Sequence, residues 1–278
     1  MPINETSRVG FVHIPKCGGT SIEVAIGVAE KYPRLGLERT STTLDYDHLF
    51  GGGLQHLSVR EIRQSYAAQW TALDFVFSVV RNPVDRFLSQ FCWEYYRFQS
   101  NIEVSSVLID QLAERVAHLK EQAEHHPLFN TPHEGIGAAN GNDQPVKPAD
   151  PIRHLLPQAS YLHDQGQLVV ERLYAIENMP MLENDLRERQ ALCCPFEKRM
   201  ASDLTSRLKP AMPKPLIDAV SDIYASDFAL HEKSLGAPRR SGSSFGMLRA
   251  LQGMLGLKQK TYDRGVHSPA HAPSDEPT

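Results

Sequence analysis

Residues 9–30 read VGFVHIPKCGGTSIEVAIGVAE. Val9 to Ile14 is apolar and largely β-branched, with the length of a buried strand, and Pro15 ends it. Gly18 and Gly19 predict a turn that needs a positive φ or a close backbone approach. Thr20 fits a helix N-cap, and Glu23 three residues later completes a capping-box pattern. The helix then runs through Ser21, Ile22, Val24, Ala25 and Ile26. A glycine loop opening onto a helix N-terminus suits an anion, because unpaired N–H groups and the dipole point at it. Lys16 adds a cation at the mouth, and Thr20 and Ser21 add hydroxyls. The stretch predicts a phosphate or sulfate cradle. It is not the nucleotide triphosphatase loop, G-x-x-x-x-G-K-[ST], in which Lys follows the second glycine. Here Lys16 precedes both.

The 278 residues suffice for one α/β domain with its own core. A formal charge of −4 supplies no basic field for nucleic acid, so any anion site is local. No apolar run reaches the roughly 18 residues of a membrane span, and no signal peptide opens the chain. The expectation is a cytoplasmic protein without a transmembrane segment. Cys17, Cys92, Cys193 and Cys194 form neither a metal spacing nor a disulfide framework. Cys17 is either a reactive thiol beside Lys16 or, more plainly, the filler of a small-residue slot.

A second strand–loop–helix unit follows. FVFSVV, from Phe75 to Val80, reads as a strand buried on both faces of a parallel sheet. In RNPVDRFLSQF, Asn82 fits a cap, Pro83 the first helical position and Asp85 the third. Arg81 then lies at a strand's C-terminal end, where open α/β sheets bind ligands. Arg86 and Ser89 share a helix face, and Phe87, Leu88, Phe91 and Tyr95 supply apolar positions. Between the two units, Ser58 and Glu61 form another capping box, with His56 just ahead of it.

PKCGGTS after a strand resembles the 5'-phosphosulfate loop of sulfotransferases that use 3'-phosphoadenosine 5'-phosphosulfate (PAPS). It is closest in pattern to their carbohydrate branch, which includes heparan sulfate 2-O-sulfotransferases. That branch reads H-I-P-K-[TC]-G-G-T-S, and His13 to Ser21 match throughout. The run from Arg81 to Phe91 is similar to the family's 3'-phosphate motif, R-[DN]-P-x-x-R-x-x-S-x-[YF], with Asn82 in place of the commoner Asp.

The resemblance implies a single α/β domain, a central parallel sheet flanked by helices with a P-loop-like PAPS site. It implies PAPS as donor co-substrate, held by Lys16, Cys17, Gly18, Gly19, Thr20 and Ser21 at the 5' end and by Arg81 and Ser89 at the 3'-phosphate. Lys16 would stabilise the bridging oxygen of the departing PAP. A histidine between the motifs would take the acceptor's proton. His56, five residues before Glu61-Ile62-Arg63, fits that context better than His48. No metal is implied. The acceptor would be a hydroxyl, most naturally on a carbohydrate. Two other readings stand beside this one: a kinase-like nucleotide-dependent transferase, and a non-catalytic nucleotide-binding or scaffold protein.

Further along, Val104, Val107, Leu108, Leu112, Val116 and Leu119 predict a helix over 101–126. Residues 127–151, rich in Pro, Gly and Asn, predict a long loop that is either substrate-covering or disordered. HLLPQASYL, from His154 to Leu162, resembles a family segment near acceptor and nucleotide; Arg153, His154, Gln158 and Tyr161 are its contact candidates. Leu168 to Ile176 reads as a strand, and Glu177-Asn178 begins a helix. Ile223 to Glu232 resembles the family's closing helix, with Tyr224, Phe228 and Leu230 in the core. The domain is expected over residues 1–235. A tail over 236–278 carries an amphipathic piece at 245–257, which would dock on the domain, on a dimer mate or on a membrane surface, and then a disordered end.

Overall fold

In the computed structural model, β1 (Ile3–Asn4) and β2 (Val9–Val12) open a four-stranded sheet. The structure describes residues 3–31, 38–39, 56–96, 99, 101–137, 151–196 and 203–236, with backbone alone at 29–31, 38–39 and 65. The chain divides into units of residues 1–239 and 240–278, and every described residue belongs to the first. His48 and the tail helix expected at 245–257 lie outside the described residues.

After β2 the chain enters α1 (Gly19–Ala25) and a small antiparallel pair, β3 (Ala29–Lys31) with β4 (Glu38–Arg39). Then come α2 (Val59–Ser65), α3 (Ala67–Thr71), β5 (Phe75–Val80) and α4 (Pro83–Tyr96). α5 (Ser106–His125) and α6 (Pro127–Asn130) lead to a 3-10 turn, Pro151–His154, and α7 (Ala159–Leu162). A hairpin of β6 (His163–Asp164) and β7 (Gln167–Leu168) precedes β8 (Arg172–Ala175). Four helices close the described chain: α8 (Met179–Glu188), α9 (Asp203–Ala211), α10 (Lys214–Ile223) and α11 (Ala225–Leu235).

The sheet order is β1-β2-β5-β8. β2 runs parallel to β5, with Val9 opposite Phe75 and Val12 opposite Ser78, and β8 runs parallel to β5 on its other side. Only β1, at the edge, is antiparallel. The mixed α/β domain with a mostly parallel sheet is therefore the one read from the sequence. Alternation along the strands divides the core in two. Val9, Phe11, Phe75, Phe77 and Val79 pack with Ile22 of α1, Ile26 at its C-cap, and Leu182 and Leu186 of α8. Val12, Val76 and Val80 pack with Phe87, Leu88 and Phe91 of α4 and Leu112 and Leu119 of α5. Between them Ser78 sits wholly buried; its hydroxyl donates to the carbonyl of Val12 at 2.7 Å, satisfying β2 where it leaves the sheet.

Several local expectations change. Thr20 does not cap α1: Gly18 does, in left-handed backbone (φ 79°), with no side-chain cap bond. Glu23 is buried and accepts from His13 instead, so no capping box forms there. The box at Ser58 is complete, with Glu61 N–H on Ser58 Oγ at 3.2 Å and Ser58 N–H on Glu61 at 2.8 Å. α5 starts at Ser106 rather than 101, because Ser105 caps it by accepting from Leu108 N–H at 3.4 Å. Val107 and Tyr95, read as core positions, are exposed. The loop over 127–151 holds α6 and a 3-10 turn (Pro132–Glu134), and residues 138–150 lie outside the described residues. The strand expected at 168–176 is two strands, β7 and β8. Among the described residues no helix is long and apolar enough to cross a membrane.

Candidate active site

Both loops singled out in the sequence leave the C-terminal ends of neighbouring parallel strands, so the sheet places them side by side. The first turns sharply after Ile14. Lys16 stands in left-handed backbone (φ 67°), a conformation costing a non-glycine residue about 1–2 kcal/mol. The N–H of Cys17 returns to the Ile14 carbonyl at 3.4 Å and that of Ser21 to the Gly18 carbonyl at 3.2 Å. Two of the amides assigned to the cradle are thus engaged within the loop. Those of Gly18 and Gly19 make no backbone hydrogen bond among the described residues.

His13 lies beneath. Its Nδ1 faces Glu23 Oε1 at 2.6 Å, both groups being buried, and its ring lies against Gly19. A Cβ on Gly19 would stand 2.0 Å from His13 Nε2, so no residue with a side chain fits there. That contact, not a positive φ, demands the second glycine.

Arg81, half-buried at the end of β5, donates from its guanidinium to the Lys16 carbonyl at 3.3 Å. Neither Lys16 nor Arg81 has a carboxylate ion-pair partner among the described residues. Gln158 fixes this corner. Its amide accepts from Arg81 N–H at 2.9 Å and donates to Arg81 C=O at 2.8 Å, and the Cys17 thiol donates to it at 3.3 Å. Gln158 N–H and Ala159 N–H in turn donate to the buried carboxylate of Asp227, at 2.7 and 3.0 Å. Arg86, which the sequence motif placed with Arg81, is a buried strut. It donates to the carbonyls of Pro15 and His154, both at 3.1 Å, and so ties the loop to the 3-10 turn. Ser89 is half-buried on α4, one turn after Arg86, and its hydroxyl makes no hydrogen bond among the described residues.

His56 enters from the other side. Its ring lies 5.1 Å from that of His13 and 4.7 Å from that of His154, edge-on to both. His154 stacks on Trp93 at 5.6 Å, and the Lys16 ammonium sits 5.0 Å from the Trp93 ring centre. Lys16, Arg81 and His56 therefore share one site, with His56 joined to Lys16 through His154 and Trp93. The His56 carbonyl accepts from Arg153 at 2.8 Å, and Arg153, wholly buried, pairs with Glu61. Among the described residues no three of His, Cys, Asp and Glu are grouped as metal ligands, despite the packed imidazoles.

A model of the sulfotransferase family matches residues 1–234. The chain belongs to the sulfotransferase family. Neither a curated protein nor a solved structure gives a match.

This sulfotransferase keeps unusual protonation in its site. Burial, with Arg81 beside it, lowers Lys16 from its ordinary value to about 8. Burial drives His56 well below the usual imidazole range, helped by His13 and His154. His154 falls to about 4 for the same first reason, with Lys16 and Arg86 adding to it. Burial pushes the Cys17 thiol up to about 12, so it stays protonated at neutral pH and fills a slot rather than reacting.

The Lys16 value sets a pH limit. If the ammonium is the useful form, it is present below about pH 8 and lost above it. kcat/KM for the sulfuryl donor, which reports the free enzyme, is expected to fall with a one-proton slope above about pH 8. Lys16→Arg, whose guanidinium stays charged, should flatten that limb whatever activity it retains. A wild-type profile flat to pH 10 would exclude Lys16 as the group.

Sequence reading missed Trp93, the His13–Glu23 pair and Asp227. The His13–Glu23 pair lies within a stretch already singled out, and Trp93 lies two residues beyond the end of the second motif. Asp227 lies in a helix whose local pattern carries no sign of a partner almost seventy residues away.

Proposed function

We propose that the chain transfers the sulfuryl group of PAPS to a hydroxyl, on a carbohydrate acceptor, with His56 as the proton acceptor. The observation that carries this reading is the pair of cations Lys16 and Arg81. They stand in the loops that leave adjacent strand ends, joined by the hydrogen bond from Arg81 to the Lys16 carbonyl, and neither has a carboxylate within ion-pair distance among the described residues. Two cations without an ion-pair partner on one rim suit a ligand with two separated anionic groups, as PAPS has.

In this reading Lys16 and the free amides of Gly18 and Gly19 hold the 5'-phosphosulfate, with the Thr20 and Ser21 hydroxyls at the same rim. Cys17 contributes through its place in the loop, since its thiol is buried and turned to Gln158. Arg81 and Ser89 hold the 3'-phosphate. Sulfuryl transfer, like phosphoryl transfer, is in-line and depends mostly on positioning and charge stabilisation. Lys16 offsets the charge that gathers on the bridging oxygen. His56, neutral at physiological pH, takes the acceptor's proton. Arg153 holds the backbone from which His56 projects. The cytoplasmic setting belongs to the same proposal.

Calorimetry with PAP against 5'-AMP tests the donor assignment, since the two differ only by the 3'-phosphate. PAP should bind more tightly, and Arg81→Ala should cost PAP about 1.5–3 kcal/mol, roughly 10- to 150-fold in Kd, with little change for AMP. Equal binding of the two by wild type would overturn the reading. Equal weakening of both by Arg81→Ala would make Arg81 a support of the Lys16 loop and not a reader of the 3'-phosphate.

A further inference from the structure

His154 has its tautomer fixed by a chain of hydrogen bonds. Arg115, buried on α5, clasps the Glu94 carboxylate through Nε at 3.0 Å and Nη2 at 3.4 Å. Glu94 therefore accepts, and Gln90 must donate to it, which its Nε2 does at 2.8 Å. That leaves Gln90 presenting Oε1, an atom that only accepts, to His154 Nδ1 at 3.0 Å. The proton of a neutral His154 consequently sits on Nδ1, and Nε2 carries a lone pair. Among the described residues no group is hydrogen-bonded to that Nε2, nor to either ring nitrogen of His56. The two rings touch, and the backbone of His154 is anchored by Arg86 at its carbonyl.

We propose that His154 is the second proton acceptor of this site, taking at Nε2 the proton that His56 removes from the acceptor hydroxyl. The proposal rests on the transferase reading above. His56, with neither ring nitrogen engaged, can accept on one and release from the other. His154, with Nδ1 committed, can only accept at Nε2 and ends the relay. The step balances: the acceptor O–H bond breaks, its oxygen bonds to sulfur, the S–O bond to the donor phosphate breaks with its electron pair, and one proton moves through His56 to His154. The resulting imidazolium donates from Nδ1 to Gln90, behind which the Glu94 carboxylate stands. Gln90 is a positioning residue, acting through His154.

The groups facing His154 make this relay dependent on the donor. Lys16 from the first loop, Arg86 from α4 and His13 at the end of β2 oppose a positive charge on it; Glu94 favours one, and His56 lies against it. An anionic donor against Lys16 offsets the nearest opposing charge. His154 is thus a poor base in the free protein and a better one once the donor is bound.

The experiment is histidine 15N and 13C NMR on the full chain, free and with PAP, together with PAP release from PAPS with water as acceptor. Free wild type should show His154 as the Nδ1–H tautomer. PAP should raise its titration from about 4 by about one unit or more. Gln90→Leu should release the tautomer lock, and Gln90→Glu, which still accepts from Nδ1, should keep it. His154→Gln should slow PAP release about 100-fold with PAP affinity unchanged, and His154→Gln with His56→Gln should be little slower than either alone, as for residues acting as a unit. An Nε2–H tautomer in wild type, or an unchanged rate in His154→Gln, would overturn the proposal. Failure of wild type to prefer PAP over AMP would instead overturn the donor reading, a result read from a separate titration.

Discussion

Lys16→Met is expected to lower kcat for sulfuryl transfer about 100- to 1,000-fold, the usual cost of removing one preorganised charge from a developing oxyanion. The fold should survive the change. Methionine is unbranched and of similar reach, so its thioether can take the place over the Trp93 ring that the ammonium holds. It also carries no branch at Cβ to aggravate the left-handed backbone at φ 67°, which a valine would. Losing a cation that is half-buried beside Arg81 should leave stability unchanged or slightly raised, because the two positive charges oppose one another. The diagnostic is the division between constants. If Lys16 acts on the leaving oxygen, where charge grows only as the bond breaks, kcat falls and KM for PAPS changes little. If KM for PAPS rises and kcat holds, Lys16 is a ground-state clamp and the charge on the leaving oxygen is stabilised elsewhere, Arg81 being the nearest candidate.

The strained loop around Lys16 was legible in outline because its determinants are close in sequence. A β-branched strand, a proline, two glycines and an apolar helix face act over a few residues, and the parallel strand at Phe75–Val80 with its Asn82 cap was legible for the same reason. The Ser58–Glu61 box was readable too, since both partners sit within one turn. Thr20 and Glu23 offer the same local signal and form no box, because Glu23 has a competing partner in His13 that only the folded chain brings near. A buried carboxylate beside an imidazole outweighs a solvent-side cap. Arg86 was legible as part of its motif but not in its role, since the two backbone carbonyls that claim it come from distant segments. Gln158 could be named as a contact and given no role, since its partners lie in the first loop, at Arg81 and at Asp227. Helices α9 and α10 went unread because α9 contains Pro210 and α10 begins at Lys214-Pro215, signals that read locally as breaks. Long-range polar contacts carry no period and no fixed spacing, which is why the site's supports were less legible than its rim.

Gly19→Ala is expected to be the more damaging of the two single-methyl changes in the glycine pair. Gly18→Ala supplies the comparison. At Gly18 the backbone is left-handed (φ 79°) and an added Cβ meets the flexible end of Ile176 at 3.3 Å, so the penalty is chiefly the 1–2 kcal/mol of that conformation. At Gly19 the backbone is helical and alanine is locally favoured, yet its Cβ would stand 2.0 Å from His13 Nε2 and 2.1 Å from Cδ2. The ring cannot yield easily. It is buried, stacked on Phe11 at 5.5 Å, edge-on to His56, and bound to Glu23 at 2.6 Å. Accommodation requires either that α1 lift off the sheet or that His13 leave Glu23, stranding a buried polar group. Overpacking costs about 1–3 kcal/mol, and a buried polar group left without its partner a similar amount. Together they predict a loss of about 2–5 kcal/mol, and with it PAP binding, because the same movement displaces Lys16 and turns the His56 face. Thermal unfolding and PAP calorimetry on the two alanine variants test this directly. Gly19→Ala should melt well below Gly18→Ala, inverting the order that backbone conformation alone dictates. If Gly18→Ala proves the worse of the two, the loop is governed by its left-handed turn and the His13 contact is soft.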